Sequence, residues 1–143
     1  MKIITRETGY AIKSLCFMVK TPEKKITTGS LAEFFNISRP FLRKILQRLH
    51  NAGILQSFKG KGGGFKLAIR PSDLFLIDLI EIFQGPVQLS GCYTKGQKCP
   101  LLQNCPIRHE IERMEKNFIK ELTEISLEML LEKQDVVRKH QEK

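Results

Sequence analysis

Apolar and polar positions along this chain change their period in a way that predicts three helices, a hairpin and two further helices. Ala11, Leu15, Met18 and Val19 recur at helical spacing, so residues 7–20 predict a first helix with one apolar face. Pro22 and the charged run to Lys25 end it. Thr27 or Thr28 can cap a short second helix through Phe35, apolar at Leu31, Phe34 and Phe35. Asn36 suits the tight turn that follows, because asparagine tolerates left-handed backbone angles. Ser38 can cap a third helix, with Pro40 in the first turn, where a missing N–H costs nothing. Leu42, Ile45, Leu46 and Leu49 fall at i, i+3, i+4 and i+7 and predict one buried stripe, and Gly53 stops the helix.

Residues 54–58 and 65–69 suit β-strands, and the run Lys59 to Gly64 joins them into a hairpin. Pro71-Ser72-Asp73 predicts the start of a helix reaching about Gln84, apolar at Leu76, Leu79, Ile80 and Phe83, before Gly85-Pro86 breaks it. Residues 86–106 read as a loop. Beyond it Ile107, Ile111, Met114, Phe118, Leu122, Ile125 and Met129 keep three- and four-residue steps, predicting one helix from about Ile107 to Val137. Such a helix would span ~45 Å, too long to bury against so small a head. Its apolar stripe needs a partner, most simply the same helix of a second copy, although Met129-Leu130-Leu131 could pack back on its own domain. The expected fold is therefore mainly α with a small β-hairpin wing. Residues 1–85 form a winged helix-turn-helix head, 86–106 a cysteine-bearing loop, 107–137 a dimerisation helix and 138–143 a frayed tail.

Charge turns this outline into an expectation about partners. Residues 1–71 hold 14 Lys/Arg against 3 Asp/Glu, whereas residues 72–143 hold 10 against 12. The whole surplus of +9 thus sits in the head, which marks a polyanion-binding module. The third helix carries it in a particular way. Opposite its leucine stripe stand Pro40, Arg43, Lys44, Gln47, Arg48 and Asn51, and no acid occurs from Arg39 to Arg48. Ordinary surface helices mix both signs; a helix with a cationic outer face after a short turn is a recognition helix. In the hairpin, Gly62 and Gly63 let the backbone lie close to a phosphate, while Lys59, Lys61 and Lys66 supply charge. The glycine run fits neither the P-loop nor the dinucleotide frame. The expected partner is double-stranded DNA with a roughly palindromic operator, read by Ser38, Arg39, Pro40, Arg43, Lys44, Arg48, Lys59, Lys61, Gly62 and Gly63. No nucleophile–base or paired-carboxylate constellation stands out, so an enzyme is not expected.

No apolar run approaches the ~18–20 residues needed to cross a bilayer, and the N-terminus lacks the marks of an export signal. A cytoplasmic location is expected, and disulfides are rare there. The four cysteines then need another explanation. Cys16, in the first helix, reads as a small core residue. Cys92, Cys99 and Cys105 share the loop at C-x6-C-x5-C. Structural zinc usually takes closer pairs and four ligands. Wide spacing on a loop bearing Lys95 and Lys98 suits a larger, negatively charged iron–sulfur group, with zinc and bare redox thiols as the alternatives.

With these elements in this order, the chain resembles the bacterial IscR/NsrR/RirA-type family of iron–sulfur winged-helix regulators, whose cluster-free relatives include the CymR-type repressors. The resemblance rests on Lys2-Ile3-Ile4-Thr5…Tyr10-Ala11, Ile37-Ser38…Leu42…Leu49…Ala52-Gly53-Ile54, the wing from Lys59 to Phe65 and the three loop cysteines, over residues 1–137. It implies a homodimeric transcriptional repressor joined along the long helices. It also implies a 2Fe-2S or 4Fe-4S iron–sulfur cluster held by Cys92, Cys99 and Cys105 that senses nitric oxide, redox state or iron supply. The fourth ligand departs from the family pattern. Where IscR-type members carry a histidine three residues past the last cysteine, Arg108 stands, with His109 one step later. Where NsrR-type members use a carboxylate of the partner's first helix, Gly9 stands, with Glu7 two residues away. A cluster-free regulator that senses through thiol oxidation is the alternative.

Overall fold

The computed structural model describes residues 2–92 and 99–141, with side chains as far as residue 135. Helix α1 (Arg6–Lys20) begins where Thr5 Oγ1 accepts from the Thr8 N–H at 3.3 Å. Helix α2 (Thr28–Phe35) is capped by Thr27, which accepts from the Ser30 N–H at 3.1 Å. Asn36, at φ 53°, makes the left-handed turn expected of it. Helix α3 (Arg39–Asn51) starts at the Ser38 cap and has Pro40 in its first turn. Gly53, at φ 80°, lets the chain leave α3 for the hairpin. Strands β1 (Leu55–Phe58) and β2 (Gly64–Leu67) pair antiparallel, Leu55 opposite Leu67 and Phe58 opposite Gly64. Ile26 and Phe65 exchange backbone hydrogen bonds of 2.9 and 2.8 Å, which fastens the hairpin to the segment between α1 and α2.

One core unites these elements. Leu15 of α1, Leu31 of α2 and Leu42, Ile45, Leu46 and Leu49 of α3 are buried together. Each such side chain contributes roughly 1.5–3 kcal/mol on leaving water. The predicted leucine stripe of α3 is thus the face that packs, and its cationic face stays outside. A second cluster, Ile77, Ile80 and Leu122, joins helix α4 (Leu76–Gln84) to α5 (Pro106–Glu124).

Two expectations need correction, and both have the same cause. The helix expected from Pro71 begins at Leu76 instead; Pro71–Asp73 form only a 3-10 turn. The single helix expected over 107–137 is broken into α5 and α6 (Leu127–Gln141), with Ile125 extended at φ −95° and ψ 103°. The two interruptions pair with each other. The Leu76 N–H donates to the Ile125 carbonyl and the Leu127 N–H to the Leu74 carbonyl, both at 2.8 Å. Phe75 and Ser126 form an antiparallel bridge between them. Leu127 is thereby buried in the core of the head, with Leu130 and Leu131 half-buried beside it and Met129 exposed. The rigid rod is α5 alone, about 28 Å long at 1.5 Å per residue. Helix α6 runs past Val137 to Gln141, into the residues expected to form the tail.

Candidate nucleic-acid interface and cysteine loop

Ser38 positions the head's outer face, its Oγ accepting from the Phe41 N–H at 3.4 Å and opening α3 at Arg39. From there the 3.6-residue period turns Arg39, Pro40, Arg43 and Lys44 away from the leucine stripe, and all four are exposed. Among the described residues, Arg39, Arg43 and Lys44 take part in no ion pair and no side-chain hydrogen bond. Gln47 and Asn51 bond each other further along the same face, at 3.1 Å. In the hairpin, Lys59 and Lys61 are exposed on a turn held by Gly60 at φ 85° and Gly62 at φ 72°. A side chain at Gly63 would run into the Phe58 carbonyl oxygen, so this turn depends on glycine. Helix outer face and hairpin tip together offer uncommitted cations suited to phosphates and base edges.

Arg48 is different. Its Nη2 donates to the Ile82 carbonyl at 2.8 Å, its guanidinium lies 5.0 Å from the Phe83 ring centre, and Nη1 is 3.5 Å from Glu7 Oε2. Expected among the phosphate-holding residues, it is exposed and also ties α3 to α1 and α4. The sequence reading also missed Gln84. Its Oε1 accepts from the Thr5 N–H at 3.1 Å and from Thr8 Oγ1 at 2.7 Å, and its Nε2 donates to the Ile3 carbonyl at 3.1 Å. Gln84 thus fastens the N-terminal arm to the end of α4, immediately before the chain enters the cysteine loop. A single glutamine near a helix end carries no pattern that could have marked it.

The loop's thiols are free. Cys92 and Cys99 are exposed, and Cys105 is half-buried at the N-cap of α5. The expected contribution of Lys95 and Lys98 lies outside the described residues. Leu89 N–H donates to Glu115 at 2.7 Å, and Arg108 donates to the Leu102 carbonyl and to Glu112, each at 2.8 Å, so both arms of the loop are stapled to α5. The Arg108 bond holds the Glu112 carboxyl below its ordinary range. Arg108, standing where a ligand was sought, is therefore a structural strut. His109 is exposed one turn into the helix, and Glu7 is paired with Arg48. Among the described residues, no group of three His, Cys, Asp or Glu side chains converges. The donor set suits iron–sulfur chemistry in kind: three free thiols on one loop, opening on the positive end of a 19-residue helix.

Cys16, expected in the core, is only half-buried. Its thiol faces a recess of about 410 Å³ between α1, α2 and α6, lined by Phe17, Phe34 and Leu130. Burial pushes this thiol up from its ordinary value, and the Lys20 charge offsets part of the rise.

Residues 4–133 match the family model Rrf2, described as an iron-dependent transcriptional regulator. The chain belongs to the Rrf2 family. Among Rrf2 relatives, it is 28% identical over 134 residues to the HTH-type transcriptional regulator NsrR of Oceanobacillus iheyensis, covering 92% of this chain and 91% of that one. A second similar protein is a putative HTH-type transcriptional regulator of Aquifex aeolicus, 29% identical over 111 residues, 76% of this chain and 77% of the other. In fold it is similar to CymR, the global cysteine regulator of B. subtilis, with a TM-score of 0.74, 23% identity and coverage of 92% and 98%. It is also similar to T. potens IscR, with a TM-score of 0.68, 22% identity and coverage of 93% and 88%. As an Rrf2 protein the chain is a DNA-binding transcriptional regulator with a winged-helix fold. No described helix is long and apolar enough to cross a membrane.

Proposed function

We propose that this protein is a homodimeric repressor whose grip on a roughly palindromic operator is set by an iron–sulfur group on its cysteine loop. The observation that carries the DNA part is the acid-free outer face of α3, where Arg39, Arg43 and Lys44 are exposed and uncommitted. Two copies of α3 enter successive major grooves about one helical turn apart. Arg39 and Arg43 face base edges, where a guanidinium grips guanine through two parallel hydrogen bonds, and Pro40 packs beside them. Lys44, Lys59 and Lys61 hold phosphates, with Ser38, Gly62 and Gly63 bringing backbone N–H groups close. Arg48 keeps the angle of α3 against α1 and α4.

A second copy is invited by α5. Ile107 is 71% exposed and Met114 44%, on the same apolar stripe of α5 whose C-terminal part, Phe118 and Leu122, packs against α4. Pairing two such helices covers the stripe and sets the distance between heads.

Cys92, Cys99 and Cys105 would hold the iron–sulfur group as thiolates. His109, with no side-chain hydrogen bond among the described residues, is a more available fourth ligand than Glu7, which would have to leave Arg48. Such a group supplies iron that nitric oxide or oxygen can reach and alter. What this chain adds is transmission. The loop leaves α4 directly after Gln84, so a shift in the loop reaches the N-terminal arm through three hydrogen bonds. A cluster-free regulator switched by thiol oxidation is the second reading, favoured by the exposed free thiols of Cys92 and Cys99.

The test is protein purified without oxygen and assayed for iron, acid-labile sulfide and visible absorption, then for operator binding before and after nitric oxide. Matching iron and sulfide, with binding that changes as the colour bleaches, supports the cluster reading. Colourless protein that takes up no iron on reconstitution yet binds DNA in a thiol-dependent way replaces it with the second reading.

A further inference from the structure

We infer that Gly29, on helix α2, is a positioning residue that aims Arg39 at its base pair and so sets operator specificity without itself touching the base. The inference rests on the reading of α3 as a recognition helix given above. Gly29 lies in the first turn of an eight-residue helix that is already capped by Thr27. Its φ is not left-handed, so the local backbone gives no reason for glycine. Glycine within a helix is destabilising relative to alanine. The reason lies across the turn. A methyl group at Gly29 would come 3.3 Å from Arg39 Cζ, 3.4 Å from Nη2 and 3.5 Å from Nε.

Those three nearly equal distances describe a plane met face-on. The guanidinium lies flat over the bare first turn of α2, with its central carbon nearest. All five N–H donors of a guanidinium project from its edge, not its face. Stacking on Gly29 therefore fixes the plane while leaving every donor free. Among the described residues, Arg39 has no ion pair or hydrogen bond to hold it otherwise. An unrestrained arginine would lose rotamer freedom on binding; one already laid against α2 loses less. The two-pronged contact to guanine also needs a fixed plane more than it needs a nearby charge. An alanine at 29 would shift the guanidinium by a few tenths of an ångström, and a leucine would occupy its place.

The experiment compares Gly29→Ala, Gly29→Leu, Arg39→Ala and the Gly29→Leu/Arg39→Ala pair. Each is titrated against a duplex selected by the unaltered protein from a random library and against a scrambled duplex of the same length. The expected result for Gly29→Leu is a loss of affinity on the order of tenfold for the selected duplex, with affinity for the scrambled one within about twofold. Gly29→Ala should lose less. Both variants should keep or raise Tm, an outcome that a purely structural role would reverse. In the Arg39→Ala background the leucine should cost nothing further. A full tenfold loss there would overturn the proposal, because it would mean that Gly29 makes room for DNA and not for Arg39. Gly29 variants with unchanged specificity beside an Arg39→Ala that loses it would overturn the positioning role alone. An Arg39→Ala with unchanged specificity would overturn the assignment of Arg39 itself, and the inference with it.

Discussion

Arg43 and Lys44 stand on the outer face of α3 with no partner in the described chain, whereas Arg48, four residues beyond Lys44, is held by Ile82, Phe83 and Glu7. The same charge on the same helix therefore has two uses, and substitution separates them. Arg43→Ala should leave Tm unchanged and reduce discrimination at one base pair by about 1–3 kcal/mol. Arg48→Ala should lower stability by about 1 kcal/mol and weaken binding to every duplex alike. Thermal melts, a base-substitution panel and a salt titration read both; an Arg48→Ala that keeps its Tm and flattens the salt dependence would put Arg48 back among the phosphate contacts. The cysteines divide in a similar way. Cys92 and Cys99 are exposed, while burial raises the Cys16 thiol above its ordinary value despite nearby Lys20. The thiolate is the reactive form, so near pH 8 cluster-free protein should be alkylated first at Cys92 and Cys99 and last at Cys16. Mass spectrometry of timed samples decides it, and early labelling at Cys16 would contradict the burial argument. A raised thiol also means that the folded state holds its proton more tightly than the unfolded chain does. Stability contributed there is present below the ordinary cysteine value and declines as pH rises beyond it.

At the level of elements, the joint between residues 74–76 and 125–127 decides the shape of the C-terminal half. Ser126 Oγ accepts from the Met129 N–H at 3.2 Å and caps α6, and Leu127, 1% exposed, is driven into the core of the head. Leu127→Ala should cost about 2–5 kcal/mol, read as a fall in the urea midpoint. Ser126→Ala should cost about 1 kcal/mol. If both changes were silent, α6 would not be docked as described. This joint also shows where the sequence stops being legible. The stripe of α1 could be read, and α2 and α3 could be read with their caps, because Thr27, Ser38, Asn36 and Gly53 act on their own neighbours. The break at Ile125 has no glycine or proline to announce it, and the apolar steps run straight through it. Its cause is a pairing with Leu74 and Leu76, about fifty residues away, and the same pairing delays α4 by a turn. Thr123, Ile125 and Ser126, all modest helix formers, were the one local hint. The cationic face of α3 was legible from composition alone. That Arg48 is claimed from inside, and that Gln84 fastens Ile3, Thr5 and Thr8, depends on packing that no periodicity encodes.

For the whole molecule, the split of charge between the halves makes a quantitative statement about binding. If Lys44, Lys59 and Lys61 on each of two heads neutralise phosphates, about six counterions leave the DNA, and log affinity against log salt should fall with a slope of about −5. Lys44→Ala should flatten that slope by about 2 in a dimer, since one substitution removes two contacts, but by about 1 in a monomer. The same titration therefore reports both the electrostatic footprint and the number of heads on the duplex. Removing the exposed apolar face of α5 tests their connection. Ile107→Lys/Met114→Lys should dissociate the dimer, read as a halved mass in sedimentation, while leaving Leu122 and the α4 contact in place. The separated heads should then bind single half-sites with a slope about half as steep, because each carries only its own lysines. A variant that stays dimeric, or that dissociates and keeps the full slope, would show that the heads are not joined through this face of α5, and the cysteine loop would need another route by which to change their spacing.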